Sequence, residues 1–98
     1  MYKGFDYPKG LRGFDAIIRT QMDQAKHIHF NLEGLTEETT KLTGRLDAAG
    51  EPLDGWTNHE LYLLKTNKAY RNKTAFYNGK VPLDGPPAWL LRLFESAP

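Results

Sequence analysis

The sequence predicts an α+β domain, a small antiparallel sheet packed against two or three helices. Three stretches carry that expectation. "GFDAIIRTQMDQAKH" repeats apolar residues at helical spacing, "HIHFNLE" alternates apolar with polar, and "TAFYNGKVPL" sets Asn-Gly between two strand-like runs. At 98 residues the chain has the length of one domain. Its 40% hydrophobic and 12% aromatic content is that of a globular protein. Residues 1–12 read as an irregular N-terminal segment or linker, and residues 13–98 as a single α+β domain.

The elements follow in order. Phe14, Ile17, Ile18, Met22 and Ala25 form one stripe of an amphipathic helix over 14–26. Over 27–33, Ile28, Phe30 and Leu32 point one way from a strand, and His27, His29, Asn31 and Glu33 the other. Gly34 ends that strand. Residues 34–56 are rich in turn formers and lack periodicity, with a short strand expected around 41–46. A connection this long is often functional. Thr57 and Glu60 spell the T-x-x-E capping box of a helix over 58–68. Trp56 stands where a staple residue would pack on Leu61, and Leu61 and Leu64 line the core. Two strands over 74–81 turn at Asn78-Gly79, the central pair of a type I′ hairpin, and Pro82 confines the return strand to an edge. "GPPAWLLRLFESAP" opens on prolines and continues apolar, as a short, largely buried terminal helix would. Trp56 and Trp89 are expected in the core.

Composition removes several function classes. Without cysteine there is neither a disulfide nor a thiolate metal site. No apolar run approaches the roughly 18 residues of a membrane-spanning helix. No Gly-rich phosphate loop, G-x-S-x-G elbow or H-E-x-x-H occurs, and the cysteines of the zinc deaminases are missing. No cofactor is expected. The net charge of +1 hides an asymmetry. Residues 31–55 hold six carboxylates against two cations, whereas residues 57–80 hold five cations against Glu60. Such a basic segment suits phosphate, or is simply a solvated face.

The row His27, His29, Asn31, Glu33 is the main candidate for chemistry. Histidines two apart on a strand project side by side, as two ligands of one metal must. The string H-x-H-x-x-x-E is similar to the ligand stretch of cupins, but the flanking glycines and the second histidine motif of that family are absent, so no metal is assigned. Histidine also titrates near neutrality and can give or take a proton. A metal-independent ribonuclease needs a base, an acid and cations facing the phosphorane. His29, His59 and Arg45 are the catalytic candidates. His27, Lys65, Lys68, Tyr62 and Tyr77 are the substrate-binding candidates, with Arg71 and Lys73 as further cations. Each has a plainer explanation: the histidine row as the wet side of a strand, His59 as an exposed first-turn residue, Arg45 as a surface cation, and Glu60 as a cap.

Two stretches together resemble the C-terminal domains of bacterial polymorphic toxins, the contact-dependent inhibition and Rhs types. "DAIIRTQMDQAKHIHFNLEGL" is similar to their amphipathic helix followed by I-x-F-x-L-x-G. "TNHELYLLKTNKAYRNKTAFYNGKVP" resembles their T-x-x-E-L helix start, asparagine-bearing helix end and T-x-F-Y-x-x-G. The resemblance runs over residues 14–82 and brings no catalytic motif with it. It implies the tip of a larger exported protein, acting in the target-cell cytoplasm and neutralised by a cognate immunity protein. It also implies a nuclease activity, often on RNA, although a near-neutral charge departs from the basic character of such tips. Other tips attack nucleotides such as NAD. The alternative is a non-enzymatic protein-binding module of immunity or adaptor type, whose acidic loop over 33–54 meets a basic partner.

Overall fold

A computed structural model describes residues 13–96. The elements are α1 (Gly13–Gln24), β1 (Ile28–Asn31), α2 (Trp56–Thr66), α3 (Lys68–Asn72), β2 (Thr74–Asn78), β3 (Val81–Pro82) and α4 (Ala88–Glu95). Together they make an α+β fold. The expected linker at 1–12 and the Phe14 side chain lie outside the described residues.

The sheet runs in the order β1-β2-β3 and is mixed. β2 and β3 pair antiparallel, as the sequence predicts. β1 and β2 pair parallel, which corrects the expected all-antiparallel sheet. The reason is the connection between them. A parallel pair needs a crossover of a dozen or more residues, and the loop after β1 together with α2 and α3 supplies one. The register sets Phe30 opposite Phe76. Their rings sit 6.5 Å apart, and Phe94 of α4 closes over Phe76 at 6.4 Å.

The hairpin turn is also shifted. Asn78 pairs with Val81, so the central residues are Gly79 and Lys80. Gly79 has φ 65° and, among the described residues, no non-glycine residue has positive φ, the pattern of a type II′ turn rather than I′. Asn78 serves as the last strand residue. Asn31 fixes the place of the turn, because its Oδ1 accepts from the Gly79 N–H at 2.8 Å.

The core is one cluster in which Ile18 and Met22 of α1, Phe30, Leu61, Leu63 and Leu64 of α2, Phe76, Leu90 and Phe94 are buried. Each such side chain contributes about 1.5–3 kcal/mol by leaving water. α4 buries one face through Leu90 and Phe94 and leaves Leu91 40% exposed, so it is not largely buried. Trp56 is 37% exposed and stands outside the core, and Trp89 is half-buried against it.

The T-x-x-E capping box does not form. Gly55, at φ 90°, is the N-cap, and the helix begins at Trp56 with no side-chain cap. Thr57 therefore lies within the first turn, and Trp56 is not in the staple position. α2 ends at Thr66 because Asn67 is extended. Asn67 closes α2 through its N–H to Leu63 and opens α3 by accepting from the Tyr70 N–H. The expected strand at 41–46 is reduced to a single bridge between Leu46 and Pro52. Gly44 at φ 72° breaks the extension. Beyond it, the Asp47 carboxylate accepts from the N–H groups of Ala49 and Glu51 and folds the chain back on itself.

α3 and β2 are tied to α1. Lys73 donates to the Ala25 carbonyl at 2.6 Å, a cation on the C-terminal carbonyls of α1. The Tyr70 hydroxyl donates to Asp23 Oδ1 at 2.5 Å. Burial first, and the Asp23 carboxylate second, push the Tyr70 hydroxyl up to about 12.

Two outcomes follow. Gly44→Ala places a methyl group inside the Tyr62 ring at a positive φ, and urea unfolding should record a loss of about 2 kcal/mol or more. The folded Tyr70 pKa lies above its ordinary 10.0, so its contribution is complete below pH 10.0 and is lost as pH rises through about 12. In an absorbance titration a tyrosinate should appear at about pH 12, and Tyr70→Phe should remove it.

Candidate functional site

β1 is an edge strand, and along its free side runs an open groove of about 340 Å³. Gln21 and Met22 near the end of α1 form one wall, His27 and His29 another, and Thr57 and Glu60 of α2 face them. The alternation of β1 accounts for this. Phe30 is buried in the core, while His29 and Asn31 are exposed on the opposite face. His27 lies in the bend just before the strand and is exposed as well.

Within the row the four polar residues part company. His29 Nδ1 is 3.1 Å from the Tyr77 hydroxyl, with the rings 5.6 Å apart. That contact engages one ring nitrogen and leaves Nε2 to face the groove or solvent. Asn31 is structural: its Oδ1 accepts from the N–H groups of Glu33 and Gly79. The Glu33 carboxylate lies against Gly79, at the β2–β3 turn. Among the described residues no three His, Asp or Glu side chains converge as a metal site requires.

Glu60 is the group that sequence reasoning passed over as a cap. It is half-buried in the groove. Burial raises its carboxyl above the ordinary range, and a hydrogen bond from the Trp56 side chain opposes that shift. The T-x-x-E pattern drew attention to Glu60 for a different job. The usable signal was its place one turn after Trp56, which lets the indole N–H reach back to it.

His59 is not at the surface. It is 2% exposed, and its Nε2 lies 2.6 Å from Asp15 Oδ1. Asp15 is equally buried and also receives the Arg19 guanidinium at 3.0 and 3.1 Å. The pair joins the first turns of α1 and α2. His59 is therefore not the exposed first-turn residue that the sequence suggests but an interior tie between two helices.

The cations fall elsewhere. Arg45 and Lys65 share a second, larger cleft with Tyr62, lined in part by Lys41 and Phe94. Thr57 and Glu60 lie on one face of α2, and Tyr62 and Lys65 on another, so groove and cleft are on different sides of the same helix. Tyr62 is stacked on His59 at 5.8 Å and abuts Gly44, so it is a wall rather than an open platform for a base. Lys68 is exposed and lines neither recess. Arg71 lies 5.4 Å over the Phe94 ring and Lys73 caps α1, so both are engaged inside the molecule. The acidic loop is likewise engaged: Asp54 with Thr43 and Arg45, Glu37 with Arg92, and Asp47 with its own backbone.

With this geometry in hand, no protein-family model, no curated protein and no solved structure matches the chain. What it does is read from its own residues.

His59→Ala leaves Asp15 buried with one partner fewer. Chemical denaturation should register a loss of about 3–5 kcal/mol, whatever the activity. Glu60→Gln has the opposite sign. A carboxyl raised by burial favours the protonated fold, a preference complete below its ordinary value and lost as pH rises through the folded one. The variant should therefore melt higher than the parent at neutral pH, with the gain vanishing in acid.

Proposed function

We propose that this chain is an antibacterial toxin domain of the polymorphic-toxin type that cleaves RNA by acid–base chemistry in the groove along β1. The observation that supports it is the pairing of two unlike titratable groups in one recess. His29 is oriented through Nδ1 by the Tyr77 hydroxyl, and Glu60 is a half-buried carboxyl raised by desolvation. An imidazole and a carboxyl lining one recess suit the two proton transfers of RNA cleavage.

In this mechanism the ionised Glu60 takes the proton of the ribose 2′-hydroxyl, whose oxygen attacks phosphorus. The bond from phosphorus to the 5′-oxygen breaks, and protonated His29 gives its proton to that leaving oxygen. The products are a 2′,3′-cyclic phosphate and a free 5′-hydroxyl. His27, at the mouth of the same groove, faces the phosphate. Thr57 and Gln21 offer hydrogen bonds to the sugar or base. Arg45, Lys65 and Lys68 have no part at the reacting bond. The domain acts in the target-cell cytoplasm as the tip of a larger exported protein, and a cognate immunity protein is its expected partner.

Induced expression in a bacterial host, with total RNA run on a gel, tests this. Growth arrest with discrete RNA fragments is expected. His29→Ala should lower cleavage about 100-fold or more without moving the melting temperature, and Glu60→Gln should do the same despite its higher stability. Arrest with intact RNA would turn attention to nucleotides such as NAD. Normal growth of cells holding soluble protein would sink the toxin and leave a binding module.

A further inference from the structure

The second cleft is larger than the groove, about 910 Å³, and has a different character. Leu42, Leu93 and Phe94 form its floor, and Lys41, Arg45 and Lys65 stand on its rim. Among the described residues no carboxylate lines it. In a chain with 13 cations and 12 carboxylates that local imbalance is a departure. The rim charges are lightly compensated. The Lys65 ammonium donates to the Ser96 hydroxyl at 3.0 Å rather than to an acid. Arg45 is 66% exposed, and its contact with Asp54 is long, at 3.9 Å.

We propose that this cleft docks an acidic, amphipathic segment of a partner protein, with leucine or phenylalanine anchors on the floor and carboxylates on the rim. An apolar floor bounded by charge is the make-up of a protein interface core and rim. A nucleic-acid backbone suits it poorly. The phosphates would meet the cations but leave the floor in water, and Tyr62, stacked on His59 and abutting Gly44, is no platform for a base. The site lies across α2 from the groove, so it stands or falls independently of RNA cleavage.

The test uses the full chain and two synthetic helical peptides. One carries leucines every third or fourth residue with glutamates between them, and the other has glutamine for every glutamate. Nuclear magnetic resonance titration should show saturable binding of the acidic peptide, with the Thr66 and Leu93 amides moving. Binding should weaken about tenfold or more, 1.4 kcal/mol per decade, with the glutamine peptide. The double reversal Arg45→Glu with Lys65→Glu should do the same. Neither side chain is buried, so circular dichroism of that variant should be unchanged, while His29→Ala should leave the peptide affinity as it is. Absence of saturable binding would overturn the proposal, as would equal binding of the glutamine peptide. Displacement of the acidic peptide from those resonances by a single-stranded RNA oligonucleotide would overturn it too, and would make the cleft a nucleic-acid channel.

Discussion

The buried contact between Asp15 and His59 is the constraint on which the arrangement of this domain rests. Its members are 44 residues apart and both are sealed from water. Neither tolerates burial alone, because an uncompensated polar group in the interior is costly. The pair therefore sets α2 against α1 at one rotation about its axis. Once His59 points inward, the helical period decides the rest. Leu63 follows one turn later into the core, Thr57 and Glu60 turn toward β1, and Tyr62 and Lys65 turn toward the second cleft. The two recesses are consequences of a single orientation.

The N-terminal part of α2 illustrates how that orientation overrides local preference. A capping box would make Thr57 the N-cap, start the helix at residue 58 and consume Glu60 at its own N-terminus. Instead Gly55, at a positive φ, delivers the chain into the helix two residues early. The hydroxyl and carboxyl that could have capped are left facing the groove. Raising a carboxyl by burial works against stability at neutral pH, and residues that do so gather where chemistry is done. That is the physical ground for giving Glu60 more weight than His59.

Much of the fold was legible because it depends on periodicity. The stripe of α1, the alternation of β1, the Gly79 turn and the apolar face of α4 are all written in spacing that survives without neighbours. What was not legible depends on partners distant in sequence. Parallel pairing of β1 with β2 follows from how the crossover packs. The split of the expected site follows from which face of α2 each residue occupies, and no inventory of residue types contains that. His59 was misjudged because its partner Asp15 looks, in sequence, like an ordinary acid in the first turn of a helix. Tyr77, by contrast, was singled out as a hydroxyl, and the structure sets that hydroxyl on His29.

The parallel pair has a further consequence, for the order of events in folding. The strand pairing joins residue 28 to residue 74. The other ties between the two halves have nearly the same separation: 44 for Asp15 with His59, 47 for Asp23 with Tyr70, and 48 for both His29 with Tyr77 and Asn31 with Gly79. Closing one loop of that size brings all of them within reach together, and its entropy is incurred once rather than separately for each contact. Before closure neither half has a partner for its buried face. The chain should then search slowly, as non-local topologies do, and pass between unfolded and folded with little populated in between.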